Sequence, residues 1–286
     1  LRNTLFPCFT ERQMGGIAYL GPEGTFSGIL ARQRFGAKAP LVPCPAIDGV
    51  FEAVLSGKAE FGIVPVENSS GGTVHDTIDL LIRHAGGVSI LEETSLDIRI
   101  ALLGHRGQPI RRIFSHFTQL RHHADWLLKN HPEARHTAVE STTTAAAQAA
   151  KKKDAAALAS LGAAKIYGLD ILRPRIGREV NVTHFFIIAK TPADPDLAGR
   201  AAFAAVLPNR CGSLHAFLGP FAKHKVSLTR IISRPVPGKP QTYVFYVEIE
   251  GSPIAPRAAR ALAAARRQSE SLALLGAFQP GRRFRS

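Results

Sequence analysis

Cysteine is scarce in this 286-residue chain: Cys8, Cys44 and Cys211 stand apart, and no Cys-x-x-Cys pair occurs. That excludes the common thiolate sets for zinc and the redox dithiol, and an odd, sparse count suits a reducing, cytoplasmic setting. No apolar run approaches the roughly 20 residues that a membrane-spanning helix needs, so no membrane partner is expected. Residues 1–16 carry charges and a proline where an export signal would be apolar, and they read as a loosely ordered leader. Leu1 in place of Met points to a non-standard or trimmed start. Methionine and tryptophan occur once each beside Ala-rich helical stretches, a bias of composition with no functional content. With Gly 25 and Pro 19, the chain is too poor in breakers to be disordered. Acidic residues are also in deficit, with 22 against 36 basic ones, for a net charge of +14. Such a balance serves a solvated, Arg-rich surface, an anionic substrate or a nucleic acid. The basic runs Lys151–Lys153, Arg266–Arg267 and Arg282–Arg283 lie far apart and lack an RNA-binding aromatic signature, so no nucleic-acid partner is expected.

What is present is an alternation of short apolar runs with amphipathic stretches. At 45% hydrophobic the chain can bury the core of one large domain or two unequal ones. Ile17–Leu20 reads as a strand, Ser27–Phe35 as a helix, and Asp48 as the N-cap of a helix that ends near Gly57. Phe61–Val66 reads as a buried strand, followed by a helix opened by Thr73. Leu96, Ile98, Ile100 and Leu102 alternate as one half-exposed strand. Arg112–Ser115 is a further strand that leads into a helix through Trp126 and Leu128. Ala155–Ala159 and Phe185–Ile188 complete the strands of a two-lobed α/β unit. Thr191–Asp196 has linker composition. Beyond it, strands at 201–207, 226–233, 243–249 and 272–278 and helices at 214–222 and 256–267 spell βαββαβ, with a turn at Pro237–Pro240, in the order of a ferredoxin-like sandwich.

Three polar segments sit between these apolar runs, where an α/β fold gathers ligand groups at strand ends. Gly21-Pro22-Glu23-Gly24-Thr25-Phe26-Ser27 pairs two glycines with hydroxyls at a helix start, a place for an anion, and lacks the Lys-Ser/Thr of a nucleotide P-loop. Pro65-Val66-Glu67-Asn68-Ser69 follows a buried strand and precedes a helix, offering a second anion cradle. Asn181-Val182-Thr183-His184-Phe185 leads into an apolar strand and presents a hydroxyl that can pass a proton in a dry site. A histidine-rich stretch, His105–His136, has no metal-ligand spacing, and adjacent His122 and His123 diverge by about 100° on a helix; no metal is expected. Each segment alone is equally an ordinary cap, turn or strand end.

Together, in this order, the three segments resemble the signatures of prephenate dehydratase, and Ala159-Ser160 and Tyr167-Gly168-Leu169 continue the likeness over residues 17–190. Asn209-Arg210-Cys211-Gly212-Ser213-Leu214 and Ser233-Arg234-Pro235 resemble the ligand-binding motifs of the ACT regulatory domain that follows in that family. The resemblance implies a two-lobed domain of the type II periplasmic-binding-protein kind at 17–190, with lobes at about 17–91 plus 171–190 and at 92–170. A linker at 191–200 and a ferredoxin-like ACT domain at 201–286 would follow. It implies loss of water and carbon dioxide from prephenate to give phenylpyruvate, driven by aromatisation, with no cofactor. By the same resemblance Thr183 is the catalytic acid. Thr25, Ser27, Glu67, Asn68, Ser69, Ser115, His122, His184 and Phe185 surround the substrate. Asn209, Gly212, Ser213, Leu214, Ser233, Arg234 and Pro235 bind an effector, L-phenylalanine, in a homodimer or homotetramer. Two positions depart from the family: His184 stands where arginine is usual, and His122 where glutamine is. Arginine would grip a carboxylate in two places at any pH, and histidine offers one nitrogen. In the ACT motif Ile232 replaces a usual glutamate. These departures leave room for an arogenate dehydratase or a non-aromatising decarboxylase, and for a non-catalytic amino-acid-responsive binding protein.

Overall fold

A computed structural model describes residues 15–177, 180–236, 238 and 241–286. The expectations for the leader up to residue 14, with Cys8, and for Pro237, Lys239 and Pro240 of the turn lie outside the described residues. The first lobe runs β1 (Ile17–Leu20), α1 (Phe26–Phe35), β2 (Leu41–Cys44), α2 (Ile47–Leu55), β3 (Phe61–Asn68), β4 (Gly72–Thr73), α3 (His75–Arg83) and β5 (Ser89–Asp97). The second comprises β6 (Ala101–Gly104), β7 (Arg112–His116), α4 (Phe117–His122), α5 (Ala124–Asn130), β8 (Arg135–Val139), α6 (Thr142–Ala150), β9 (Ala155–Ala159), α7 (Leu161–Tyr167) and β10 (Asp170–Arg173). The chain then returns to the first lobe as β11 (Val182–Ala189). After a 3-10 turn at Pro195–Leu197 come β12 (Arg200–Val206), α8 (Ser213–Lys223), β13 (Leu228–Pro235), β14 (Tyr243–Glu250), α9 (Pro256–Arg266) and β15 (Ser271–Arg285).

The second lobe has its own sheet, in the order β10-β6-β9-β7-β8. The other sheet reads β13-β14-β12-β15-β5-β11-β3-β1-β2, so first lobe and C-terminal unit share one hydrogen-bonded sheet. The joint is β15, whose first half pairs antiparallel with β12 while Gln279–Arg285 pairs parallel with β5. Backbones meet closely there: a Cβ on Gly276 would lie 2.5 Å from the Ile90 carbonyl oxygen. The terminal unit has the antiparallel order β13-β14-β12-β15 expected of a ferredoxin-like sandwich.

Because successive residues of a strand face opposite ways, β11 serves two cores. Phe185 and Ile187 pack with Tyr19, Leu30, Ile63 and, from the second lobe, Leu102, Ile113 and Leu158. Phe186 and Ile188 pack with Phe51 and Leu81 of the first lobe and with Ala202, Ala204, Tyr246 and Leu275 of the terminal unit. Each fully buried Phe or Ile contributes about 1.5–3 kcal/mol, so β11 is fixed from both sides.

Several expectations shift. Ala46, with no side-chain hydrogen bond, caps α2, and Asp48 lies inside its first turn, where its charge still suits the helix dipole. Thr73 pairs with Glu67 in a short hairpin, and α3 starts two residues later. The alternating run Leu96–Leu102 is two strands in two sheets, broken where the chain crosses between lobes at residues 98–100. Thus β5, which includes Glu92 and Leu96, belongs to the sheet of the first lobe. The helix through Trp126 is likewise two, with His123 as the break.

Candidate active site

Two of the three polar segments meet directly, and all three lie at the C-terminal ends of strands or at the strand start that faces them. Register places Thr183 opposite Asn68 and His184 opposite Glu67. Asn68 Nδ2 donates to Thr183 Oγ1 at 2.9 Å and to Asn181 Oδ1 at 2.7 Å. Asn68 Oδ1 accepts from Ser70 N at 2.9 Å and Gly71 N at 2.8 Å. Two fixed N–H donors define which end of the amide is oxygen, so Asn68 must present its NH₂ to Thr183. The Thr183 oxygen is therefore an acceptor in that bond, and its own proton points elsewhere. Asn181 Nδ2 reaches Gln119 Oε1 of α4 at 3.5 Å, which ties the cluster to the second lobe. Asn181, Gln119 and Thr183 are all buried. Ser69 clamps β11 from the same loop: its amide donates to Val182 O at 2.9 Å, and its Oγ accepts from Val182 N at 3.0 Å.

The Gly21–Ser27 segment follows β1, which lies beside β3 in the sheet. Thr25 caps α1, its Oγ1 accepting from Gly28 N and donating to Leu20 O at 2.9 Å. Gly24, at φ 87°, lies under the second lobe; a side chain there would strike Ile166, and its carbonyl accepts from Ser160 Oγ at 3.1 Å. Ser27 is buried beside this cap. Ser115 is fully buried and gives its hydroxyl to Leu158 O at 2.9 Å, which holds β7 to β9. Phe185 is buried in the interlobe core. His122 ends α4 with its ring edge-on to His123, centroids 4.7 Å apart. Burial, and secondarily the charge of His122, push the His123 pKa down to about 4. Among the described residues no group of three or more His, Cys, Asp and Glu could hold a metal, and no described helix is long and apolar enough to cross a membrane.

Glu67 and His184 lie on the other face of the sheet from Thr183. His184 Nδ1 sits 3.5 Å from Glu93 Oε1, and Arg230 of β13 donates to Glu67 Oε2 at 2.9 Å and to Glu93 Oε1 at 3.1 Å. Arg230 also binds Glu248, and Arg200 binds Glu93. Burial alone would raise the Glu93 pKa, but the His184 contact and the charges of Arg230 and Arg200 bring it below the ordinary value.

The expected effector residues divide similarly. Asn209, Ser213 and Leu214 line a pocket of about 150 Å³ with Leu207, Pro208, Arg210, Gln241, Tyr243 and Phe245. Ser213 Oγ is buried there with no hydrogen-bond partner among the described residues. Gly212, at φ 80°, turns the chain into α8. Ser233 and Pro235 pair with Phe245 and Tyr243 on β14, at the edge of that pocket. Arg234 is committed elsewhere, donating to Asp79 of α3 at 2.6 and 2.7 Å.

A family model described as prephenate dehydratase matches residues 17–193, and one described as ACT domain matches 204–267. The chain belongs to the prephenate dehydratase family. It is 35% identical to the bifunctional chorismate mutase/prephenate dehydratase of Stutzerimonas stutzeri, over 97% of this chain and 76% of that one. A solved prephenate dehydratase from Arthrobacter aurescens, in complex with L-Phe, superimposes with TM-score 0.83 at 30% identity, covering 92% of this chain and 90% of the other. A structure described as a quorum-quenching acylase superimposes with TM-score 0.82 at 29% identity, over 93% and 98%. A prephenate dehydratase is a carbon–oxygen lyase, and here it is followed by the regulatory ACT domain. Residue-by-residue reading gives Asn181 no role although it opens one of the polar segments, and it misses Gln119, which lies between Ser115 and His122.

Proposed function

We propose that Thr183 is the general acid in the conversion of prephenate to phenylpyruvate. The observation that carries this is the Asn68–Thr183 hydrogen bond, whose direction is set by Ser70 N and Gly71 N. An amide donor on Oγ stabilises negative charge there and leaves the Thr183 proton free for the leaving group. In the reaction the ring carboxylate departs as CO₂, and its bonding pair enters the ring. The hydroxyl on the opposite ring carbon leaves with its own pair and takes the Thr183 proton as water. A proton from solvent restores Thr183, so prephenate dianion plus H⁺ becomes phenylpyruvate, CO₂ and H₂O. The N-terminus of α1 at Thr25–Ser27 is the group that favours a carboxylate. Purified protein with prephenate tests this. Thr183→Ala should lower kcat by about 10²–10⁴ with little change in KM, and Thr183→Ser should retain most activity. Equal turnover in wild type and Thr183→Ala ends the assignment, and arogenate run in parallel decides substrate preference.

L-phenylalanine is the effector in this reading, seated in the pocket of Ser213 and Leu214. Beside it, Leu214, Ile231 and Tyr243 are 38%, 45% and 47% exposed, next to the edge of β13 that pairs with no strand among the described residues. A second copy would cover them, which supports a homodimer or higher homo-oligomer.

A further inference from the structure

We propose that the ACT domain supplies a positioning residue to the catalytic site: Arg230 holds Glu67, and through it keeps Asn68 aimed at Thr183. This rests on the reading of Thr183 as the acid. Arg230 leaves β13 with its side chain only 14% exposed and reaches the underside of the catalytic sheet. Its Nη1 serves Glu248 inside its own domain, and its Nη2 serves Glu93 and Glu67 across the junction. The guanidinium carbon also stands 5.9 Å from the centroid of Phe186, on the same face as His184.

Glu93 and Glu248 have other donors, Arg200 for one and Tyr246, at 2.6 Å, for the other. They fix the guanidinium, which requires paired charges because it is buried. Glu67 differs: its side chain is 43% exposed, and among the described residues Arg230 is the cation that holds it. Glu67 and Asn68 are consecutive at the end of β3, so anchoring Glu67 below the sheet fixes the pleat that sends Asn68 above it. The hydrogen bonds of Asn68 set its side chain, while the tilt of the strand end that carries it depends also on the anchor below, and a misplacement near 1 Å is costly in a reaction that depends on orientation. The ACT domain is in this sense part of the active site, and a shift of β13 on effector binding reaches Thr183 through two side chains.

Steady-state kinetics on the full chain with prephenate test this, using Glu67→Gln, Arg230→Lys, the double variant, and Thr183→Ala as reference. Glu67→Gln keeps shape, removes the charge, and alters a half-exposed side chain, so the fold persists. The expected result is a roughly tenfold fall in kcat for Glu67→Gln with KM within about twofold. The double variant should be no worse than the worse single one, because both break one linkage. An unchanged kcat in Glu67→Gln, with turnover lost in Thr183→Ala, overturns the positioning role alone. Additive losses in the double variant overturn it also, since Glu67 would then act on the substrate independently. Unchanged turnover in Thr183→Ala overturns the underlying assignment and this proposal with it.

Discussion

Replacing Asn68 by Asp tests the site most sharply, because it changes one atom's chemistry and almost no volume. The Oδ1 contacts to Ser70 N and Gly71 N survive, so the loop keeps its shape. The two donated bonds, to Thr183 Oγ1 and Asn181 Oδ1, become oxygen facing oxygen. In the ground state each lost bond costs about 1 kcal/mol. The larger effect is catalytic. A carboxylate at position 68 would accept the Thr183 proton, reversing the direction of the hydrogen bond and withholding that proton from the substrate. Loss of one preorganised donor to a developing oxyanion costs about 2.7–4 kcal/mol, or roughly 10²–10³ in kcat. Phenylpyruvate formation measured by initial rates, with thermal unfolding as a control, gives both numbers. A folded Asn68→Asp protein with kcat within about threefold of wild type would refute the argument that bond direction at Thr183 matters.

Two further outcomes concern stability. His123 is neutral in the fold until about pH 4 but titrates near 6.5 when unfolded, so the unfolded chain takes up a proton first as pH falls. Its contribution is fully present above about pH 6.5, and about 2 kcal/mol is lost by pH 5. His116 and His131, lowered mainly by burial, act with the same sign. Urea midpoints at pH 7 and pH 5 should converge in His123→Phe relative to wild type, and identical pH responses would refute this. Tyr246→Phe removes the hydroxyl that donates to the fully buried Glu248 and should cost about 1–3 kcal/mol by chemical unfolding; an unchanged midpoint would show that Arg230 and Thr229 satisfy that carboxylate without it.

Much of this architecture was legible in the chain. The C-terminal unit was clearest, because β14 is an unbroken apolar run that ends in alternating glutamates and α9 starts at Pro256 and ends among arginines. The segments carrying Thr25, Asn68 and Thr183 announced themselves as polar interruptions at strand ends. Periodicity alone separates Thr183 from His184, because adjacent residues of a strand face opposite sides of the sheet. The pairing of Gln119 with Asn181 was invisible for a different reason, since they meet across 62 residues of chain and neither has a local partner pattern. The split of Leu96–Leu102 into two strands was equally hidden, because an alternating apolar run looks the same whether or not it changes sheets.

The strand that spans both units sets a limit on dissecting this molecule. Severed near residue 193, the catalytic piece would carry β5 with an open row of amide and carbonyl groups where Gln279–Arg285 had been. Bare edges of that kind recruit one another. A truncated fragment should therefore precipitate or form ladders of copies, and its loss of turnover would say nothing about whether the missing half is needed for chemistry. Point substitutions at the junction, which leave the backbone ladder closed, are the sounder way to ask what one half does for the other.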